Sequence, residues 1–405
     1  MRRFRFQFFS LFTPLLLLGC NAGASKKIEK HVFIRPILKR VYLSLVILFL
    51  TACTGDSTGD SVNGHESEGN EENISQTNET DSDDNDSIRA ITSGEWSSPS
   101  TWSNGQSPKE GDSVVIPREV EVRINKVLKD RFKKVTIKGS LNFASDVDTE
   151  LNVDTLTSDM MGTLEIGTLE KPISSDITAR IVFSDLGEID RNTDPDQLYR
   201  GAVLMGPTTI WGAEKTAWAV LAVQPAAGVH TLTLKAPPSG WKIGDRLVVA
   251  ATQINDPTSD EVVTIAEIDG SVITLENALQ KNHQAFKDDL DVHVANLSRN
   301  VEFRSENAEI SRRGHVMFMH NLKVSVNYAR FYQLGRTDKT IPLDDYTWPD
   351  REDAPPFQLE GNNVRGRYSV HFHRGGSGLQ TIPAQIKGNV VEDNPGWAYV
   401  NHSSN

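Results

Sequence analysis

An all-β fold is predicted by three features of this 405-residue chain. From Ile91 onward, apolar and polar residues alternate with a period of two. Gly, Asp, Asn and Pro punctuate the alternation every 8–12 residues or so, the spacing of short strands in a sandwich, roll or solenoid. No useful window sustains the i, i+3, i+4, i+7 pattern of an amphipathic helix. The length is enough to bury a real core and predicts about two domains. Two cysteines, Cys20 and Cys53, exclude a disulfide framework or a four-thiolate zinc site. The net charge of −12 argues against a general nucleic-acid binder, which would carry a basic stripe.

The elements follow in order. Ser113–Ile116, Glu121–Ile124, Lys134–Ile137, Ser140–Phe143, Leu151–Leu156, Gly162–Ile166 and Arg180–Phe183 read as a first set of β-branched strands. Ala217–Ala222, His230–Leu234, Asp245–Ala250, Glu261–Ile268 and Ser271–Leu275 form a second set. Gly111-Asp112 and Gly244-Asp245 each lead into a buried strand, and glycine there supplies the positive φ of a tight turn. Trp96, Trp102, Trp211, Trp218 and Trp241 sit at strand starts amid apolar neighbours, which predicts core packing ahead of sugar stacking.

Charge divides the N-terminal part. Residues 1–53 carry nine Lys or Arg against one Glu, and residues 54–88 carry eleven Asp or Glu with no Lys or Arg. Two apolar runs with basic starts lead into Leu-Leu-Gly-Cys20 and Leu-Thr-Ala-Cys53. Each is shorter than the roughly 20 apolar residues of a membrane span and reads as an export signal. Both resemble the lipobox of a bacterial lipoprotein. Cys53 is the expected lipidation site, because it opens directly into a polar tether. That places the protein outside the cytoplasm, lipid-anchored in a bacterial cell envelope at the outer membrane or surface. Residues 54–89 have too few apolar side chains to offset chain entropy and are expected to be a disordered spacer.

Gly94-Glu-Trp96, Trp102, Gly105, Pro108, Gly111-Asp-Ser-Val-Val-Ile-Pro117, Gly139-Ser-Leu-Asn-Phe143 and Gly162-Thr-Leu-Glu-Ile-Gly167 together resemble the eight-glycine domain. That family includes cell-migration-inducing hyaluronidase, fibrocystin-like proteins and bacterial surface proteins. Further on, Trp241-Lys-Ile-Gly-Asp-Arg, Leu297-Ser-Arg-Asn-Val301, Arg313-Gly-His-Val-Met-Phe-Met-His320 and Gly366-Arg-Tyr-Ser-Val-His-Phe-His373 resemble the segments joining that domain to a right-handed parallel β-helix. The resemblance implies an eight-glycine sandwich or roll over residues 90–210, a β-rich connection over 211–296 and a partial β-helix over 297–405. Ala384–Asn405 is expected to be one coil, with strand Ala384–Val391, turn Glu392–Gly396 and strand Trp397–Asn401. The family's β-helix runs on further, so an interrupted version is expected here.

Six of the ten histidines lie from His293 onward. His371 and His373 are two apart on an expected strand, so they share a face. Arg365, Arg367 and Arg374 bracket them, and Arg313, His315 and His320 sit about 50 residues earlier. Stacked coils would make a cationic face suited to an anionic polysaccharide, whose carboxylates arginine forks bind bidentately. His371, His373, Arg367 and Arg374 are the candidate catalytic residues; Arg365, His315, His320 and Arg313 are the candidate substrate-binding ones. Three roles stay open for His371 and His373: buried hydrogen-bonded side chains, base and electrostatic partner, or metal ligands. A third metal ligand would have to come from Glu392 or Asp393 in the next coil. Glycoside hydrolysis would want two carboxylates about 5–10 Å apart, and Asp338, Asp344, Asp345, Asp350 and Asp353 lie in loops instead. Lyase chemistry on a uronic acid would want a neutralising cation and a base. For its animal members the resemblance implies hyaluronan depolymerisation, often with calcium; no other cofactor is evident. The rival reading is a non-catalytic carbohydrate-binding or adhesion module.

Overall fold

The computed structural model describes residues 86–405 apart from 195, 254–255, 257–258, 288, 345–360, 362, 377–381 and 405. Cys20, Cys53, the export segment, the tether up to residue 85, and Asp345, Asp350 and Asp353 therefore lie outside the described residues.

Alternation dictates the architecture. In Ser113–Ile116 the inward residues are Val114 and Ile116, and neither can be left to water. The strand meets its like one coil later: Val114 pairs with Val135 and Val135 with Leu156, all in parallel. The same ladder continues through Ala202, Val316 and Val370 to Tyr399. A second face stacks Leu151, Ile181, Phe303, Phe331 and Val391. A third stacks Val122, Leu141, Leu164, Thr208 and Val324. The chain thus winds as a three-faced parallel β-helix around one apolar core. Two aromatic stacks run inside it, Phe303 on Phe331 at 5.2 Å and Phe318 on Phe372 at 5.0 Å. Among the described residues, the only helical turns are the short Pro99–Thr101 and Ile310–Arg312, and no helix is long and apolar enough to cross a membrane.

The all-β expectation and the parallel winding both hold, and the β-helix begins earlier than residue 297. Parallel pairing starts at Ile88–Arg89 with Ser113–Ile116, so the segment expected as a sandwich or roll is already coiled. The reason is visible in the glycines. A Cβ on Gly139 would lie 2.2 Å from the Pro117 carbonyl oxygen, and one on Gly162 would lie 2.0 Å from that of Ile137. These Gly-x-Leu positions are corners where one coil's backbone rests on the next, and only hydrogen fits.

Among the described residues, the β-helix is interrupted by an antiparallel six-stranded sheet running from Trp218–Val220 to His293–Asn296. It has its own core of Leu221, Leu232, Leu247, Val249, Ile265, Ile273 and Val294. The Gly-Asp turns match expectation in both units. Gly111 and Gly244 each have φ of +85°, and Asp112 and Asp245 each accept the N–H three residues back, from Lys109 and Lys242.

Two local expectations are corrected. Ala384–Val391 is not one strand: Gln385–Lys387 and Val390–Glu392 lie on different faces, separated by a corner at Gly388 with φ of +64°. The last strand is Tyr399–Ser404 rather than Trp397–Asn401. Trp96 and Trp102 are core residues, packed edge-to-face at 5.0 Å, and Trp241 is buried as well. Trp218 breaks that pattern and is exposed against His293.

Candidate functional site

Strand Val370–Gly376 turns Val370 and Phe372 inward and His371 and His373 outward, as period two requires. The next coil lays Tyr399–Ser404 alongside in parallel register, with His373 opposite His402. Three imidazoles therefore gather on one outer face. Ring centroids of His371 and His373 are 5.1 Å apart, those of His373 and His402 4.9 Å, and those of His371 and His402 6.3 Å with nearly parallel planes. One ring nitrogen from each lies within 4.8 Å of the other two. Nδ1 of His373 and Nδ1 of His402 are 3.1 Å apart.

Their environments are graded. His371 is 4% exposed, and its Nδ1 lies 3.0 Å from the Gly366 carbonyl. A carbonyl can only accept, so that nitrogen carries the proton and Nε2 keeps the lone pair. Nε2 is buried without a hydrogen-bond partner. Burial is the largest cause depressing the His371 pKa to about 4, and His402 and Arg367 add to it. His373 is half-buried and also falls to about 4, again chiefly by desolvation, with His371, His402, Arg374 and His320 contributing. At neutral pH both rings are neutral, with lone pairs available.

An aromatic and cationic ribbon continues from the histidines. Tyr368 packs edge-on to His371 at 5.3 Å, and Trp397 lies 5.6 Å from Tyr368. Trp397 is 49% exposed, and Lys339 Nζ stands 4.2 Å from its ring centroid. At the other end, His320 sits 6.3 Å from His373, and its pKa is lowered by desolvation and then by Arg374. Arg374 is exposed, and no ion pair involves it or Lys339 among the described residues.

Other predicted site residues are placed differently, because their polar groups are committed to the fold. Arg367 is 8% exposed and donates to the carbonyls of Asp196, Gln197 and Arg365. Arg313 is buried, donating to the carbonyls of Ala308 and Asp393 and to the Asp393 carboxylate. Both guanidiniums pin loops rather than face a ligand, a correction to the roles expected from sequence. His315 is fully buried, with Nδ1 3.2 Å from the Arg200 carbonyl. Arg365 is exposed beside the site and is itself engaged by a partner. Glu392 does not join the histidines either; it accepts from Arg246 and Arg330, while Asp393 accepts from Arg313 and Gln333. Asp338 and Asp344 accept hydrogen bonds within their own loops.

Sequence reasoning missed His402, Lys339 and the exposure of Trp397. His402 follows His373 by 29 residues, and only the coil register makes them neighbours. A separate cleft of about 420 Å3 lies where the insert meets the coils, but its lysines are paired, Lys215 with Asp245 and Lys242 with Asp176.

Comparison with known proteins agrees with the glycine pattern. Residues 101–222 match the model of the G8 domain. Human fibrocystin-L is 28% identical over 231 residues and the mouse protein 27%; each alignment covers 53% of this chain and 5% of the relative. The chain thus spans a small fraction of those relatives' length. Among solved structures, the Gp54 tailspike of Acinetobacter baumannii bacteriophage AP22, in complex with capsular saccharide, aligns at 11% identity. That alignment has a TM-score of 0.21 and covers 59% of this chain and 32% of the tailspike, too distant to carry an argument. The segment that matches the G8 domain, residues 101–222, is wound as coils of a parallel β-helix up to Trp211 and enters the antiparallel insert at Trp218.

Proposed function

We propose that this protein binds an acidic extracellular polysaccharide along the outer face formed by the coils at residues 370–402. It does so from the cell surface of a bacterium, held by a lipid on Cys53. The observation that carries the reading is the exposed Trp397 with Lys339 over its ring, continuous through Tyr368 with the histidines and close to Arg374. Lys339 covers one face of the indole, and a pyranose ring packs its apolar C–H face on the part of Trp397 that stays exposed. Lys339 and Arg374 supply positive charge for uronate carboxylates on sugars flanking the stacked one. Of the sequence-derived set, Arg374 stays at the surface as the cation, with His320 and His373 near it as uncharged rings, while Arg313 and Arg367 serve the fold.

The test is a panel of hyaluronan, chondroitin sulfate, pectate and alginate, with and without calcium, read by affinity electrophoresis and by absorbance at 232 nm. Retarded migration with at least one acidic glycan is expected, weakened about tenfold or more in Trp397→Ala. Retardation without chain shortening identifies a binding module. Shortening with a rise at 232 nm identifies a lyase, and shortening without it a hydrolase. Failure to retard any acidic glycan, or retardation unchanged in Trp397→Ala, refutes the assignment of this face.

A further inference from the structure

We propose that His371, His373 and His402 form a mononuclear site for a divalent transition metal of the zinc class. The inference stands on imidazole geometry alone and does not rest on the glycan reading. Three features carry it. First, two adjacent coils deliver one ring nitrogen each from three histidines to a single locus, all within 4.8 Å of one another. Two nitrogens held by one tetrahedral zinc at about 2.0–2.1 Å stand roughly 3.3 Å apart. The His373 Nδ1 to His402 Nδ1 separation is 3.1 Å, which matches, and the His371 nitrogen, within 4.8 Å of both, would close by up to about 1.5 Å.

Second, His371 is prepared as a ligand. Its Nδ1 is held by the Gly366 carbonyl, the outer partner that fixes ring orientation and tautomer in protein metal sites. That leaves Nε2 as its donor atom, and Nε2 is buried with nothing to bond. A buried acceptor without a partner is unusual enough to call for an explanation, and a cation would supply one.

Third, the donor set selects the metal. Imidazole nitrogens suit zinc, copper, nickel and cobalt, whereas calcium takes six to eight oxygen ligands. Glu392 and Asp393, the carboxylates nearest in sequence to this coil, are tied to arginines. Calcium, implied by family resemblance, therefore does not fit this cluster. With three protein ligands and His402 exposed, a fourth position is open to water or to a ligand oxygen, the pattern of non-structural zinc sites.

The full chain, prepared with a tag lacking histidine and stripped with a chelator, is titrated with Zn2+ in competition with a chromophoric chelator, and separately with Co2+. One Zn2+ per chain is expected, and Co2+ should develop the intense visible bands of four-coordinate geometry. Because His402 is exposed on the outer face of the last described strand, His402→Ala should keep the wild-type circular dichroism spectrum. It should weaken zinc by more than the roughly 10–100-fold that loss of an outer partner costs. His373→Ala should do the same, whereas His293→Ala, on the antiparallel insert, should change nothing. Substoichiometric uptake, a six-coordinate Co2+ spectrum, or zinc affinity retained in His402→Ala would each overturn the site.

Discussion

Replacing Gly162 by alanine tests whether the glycine repeat exists for backbone contact between coils. A Cβ there would stand 2.0 Å from the Ile137 oxygen and 2.8 Å from its carbonyl carbon, both main-chain atoms with no rotamer to yield. An ordinary contact needs the coils to part by more than about 1 Å at this corner. The Ile137 oxygen also accepts the Asp159 N–H at 3.1 Å, so that hydrogen bond is lost as the corner opens. Overpacking costs about 1–3 kcal/mol and a lost backbone hydrogen bond about 0.5–1.5 kcal/mol, giving about 1.5–4.5 kcal/mol in total. Gly111→Ala is the matched control. Its φ is +85°, but nothing lies within 4 Å of the new methyl, so only the left-handed backbone is penalised, at about 1–2 kcal/mol. Guanidinium unfolding of both variants, followed by circular dichroism, gives the comparison. A Gly162→Ala cost below about 1 kcal/mol, or one no larger than that of Gly111→Ala, would refute the close-contact account.

Two further outcomes are expected. Glu392 is buried and accepts from Arg330 of the preceding coil and Arg246 of the insert. Glu392→Ala should therefore cost about 2–4 kcal/mol in the same unfolding assay, toward the lower end of the usual range for a broken buried pair because Arg246 is partly exposed; a loss under 1 kcal/mol would show that the network is solvated. His315 has its pKa pushed well below the usual value, first by burial and then by Arg336, Arg367 and His371. The unfolded chain binds its proton near pH 6.5 and the folded chain does not, so stability should fall as pH drops below about 6.5. That slope should be shallower in His315→Gln, and equal slopes would remove His315 as a cause.

Much of the fold was legible because strand alternation is a local property. Ser113–Ile116, Glu121–Ile124 and Ser140–Phe143 appear with the bounds that the pattern of Val, Ile and Leu dictates. The strand Gly201–Leu204 was not, since all four of its residues are buried and no alternation marks it. Which strand pairs with which is non-local. The first coils repeat every 21 residues, from Ser113 to Lys134 to Thr155, but the step from Val316 to Val370 is 54. With no constant period, neither the early start of the winding nor the meeting of His373 with His402 can be read from spacing. Arginine is the other blind spot. Arg313 and Arg367 are expected on a cationic face, yet both are buried, as is Arg336, and all three spend their N–H groups largely on backbone carbonyls of neighbouring loops.

The same stacking that hides those arginines is what assembles a site. In a parallel coil, inward positions must match in size from one turn to the next, and Val114, Val135 and Leu156 or Phe318 and Phe372 do so. Outward positions are free of that demand but inherit the register, so any chemistry placed on one coil lies about 4.8 Å from the equivalent position on the next. One outer face uses this for charge: Glu150, Arg180, Glu302 and Arg330 alternate along successive coils and end in Glu392. Another uses it for imidazoles, where like groups replace alternating ones. Neighbouring coils that alternate in charge satisfy one another, whereas the imidazoles do so only in part: His373 and His402 meet at their Nδ1 atoms, and the Nε2 of His371 is left over. Each member of the charge ladder has an opposite charge within 4 Å, and the His371 Nε2 has no partner. That asymmetry is why the candidate site lies at residues 371–402 rather than along the ladder, although the ladder holds more charge.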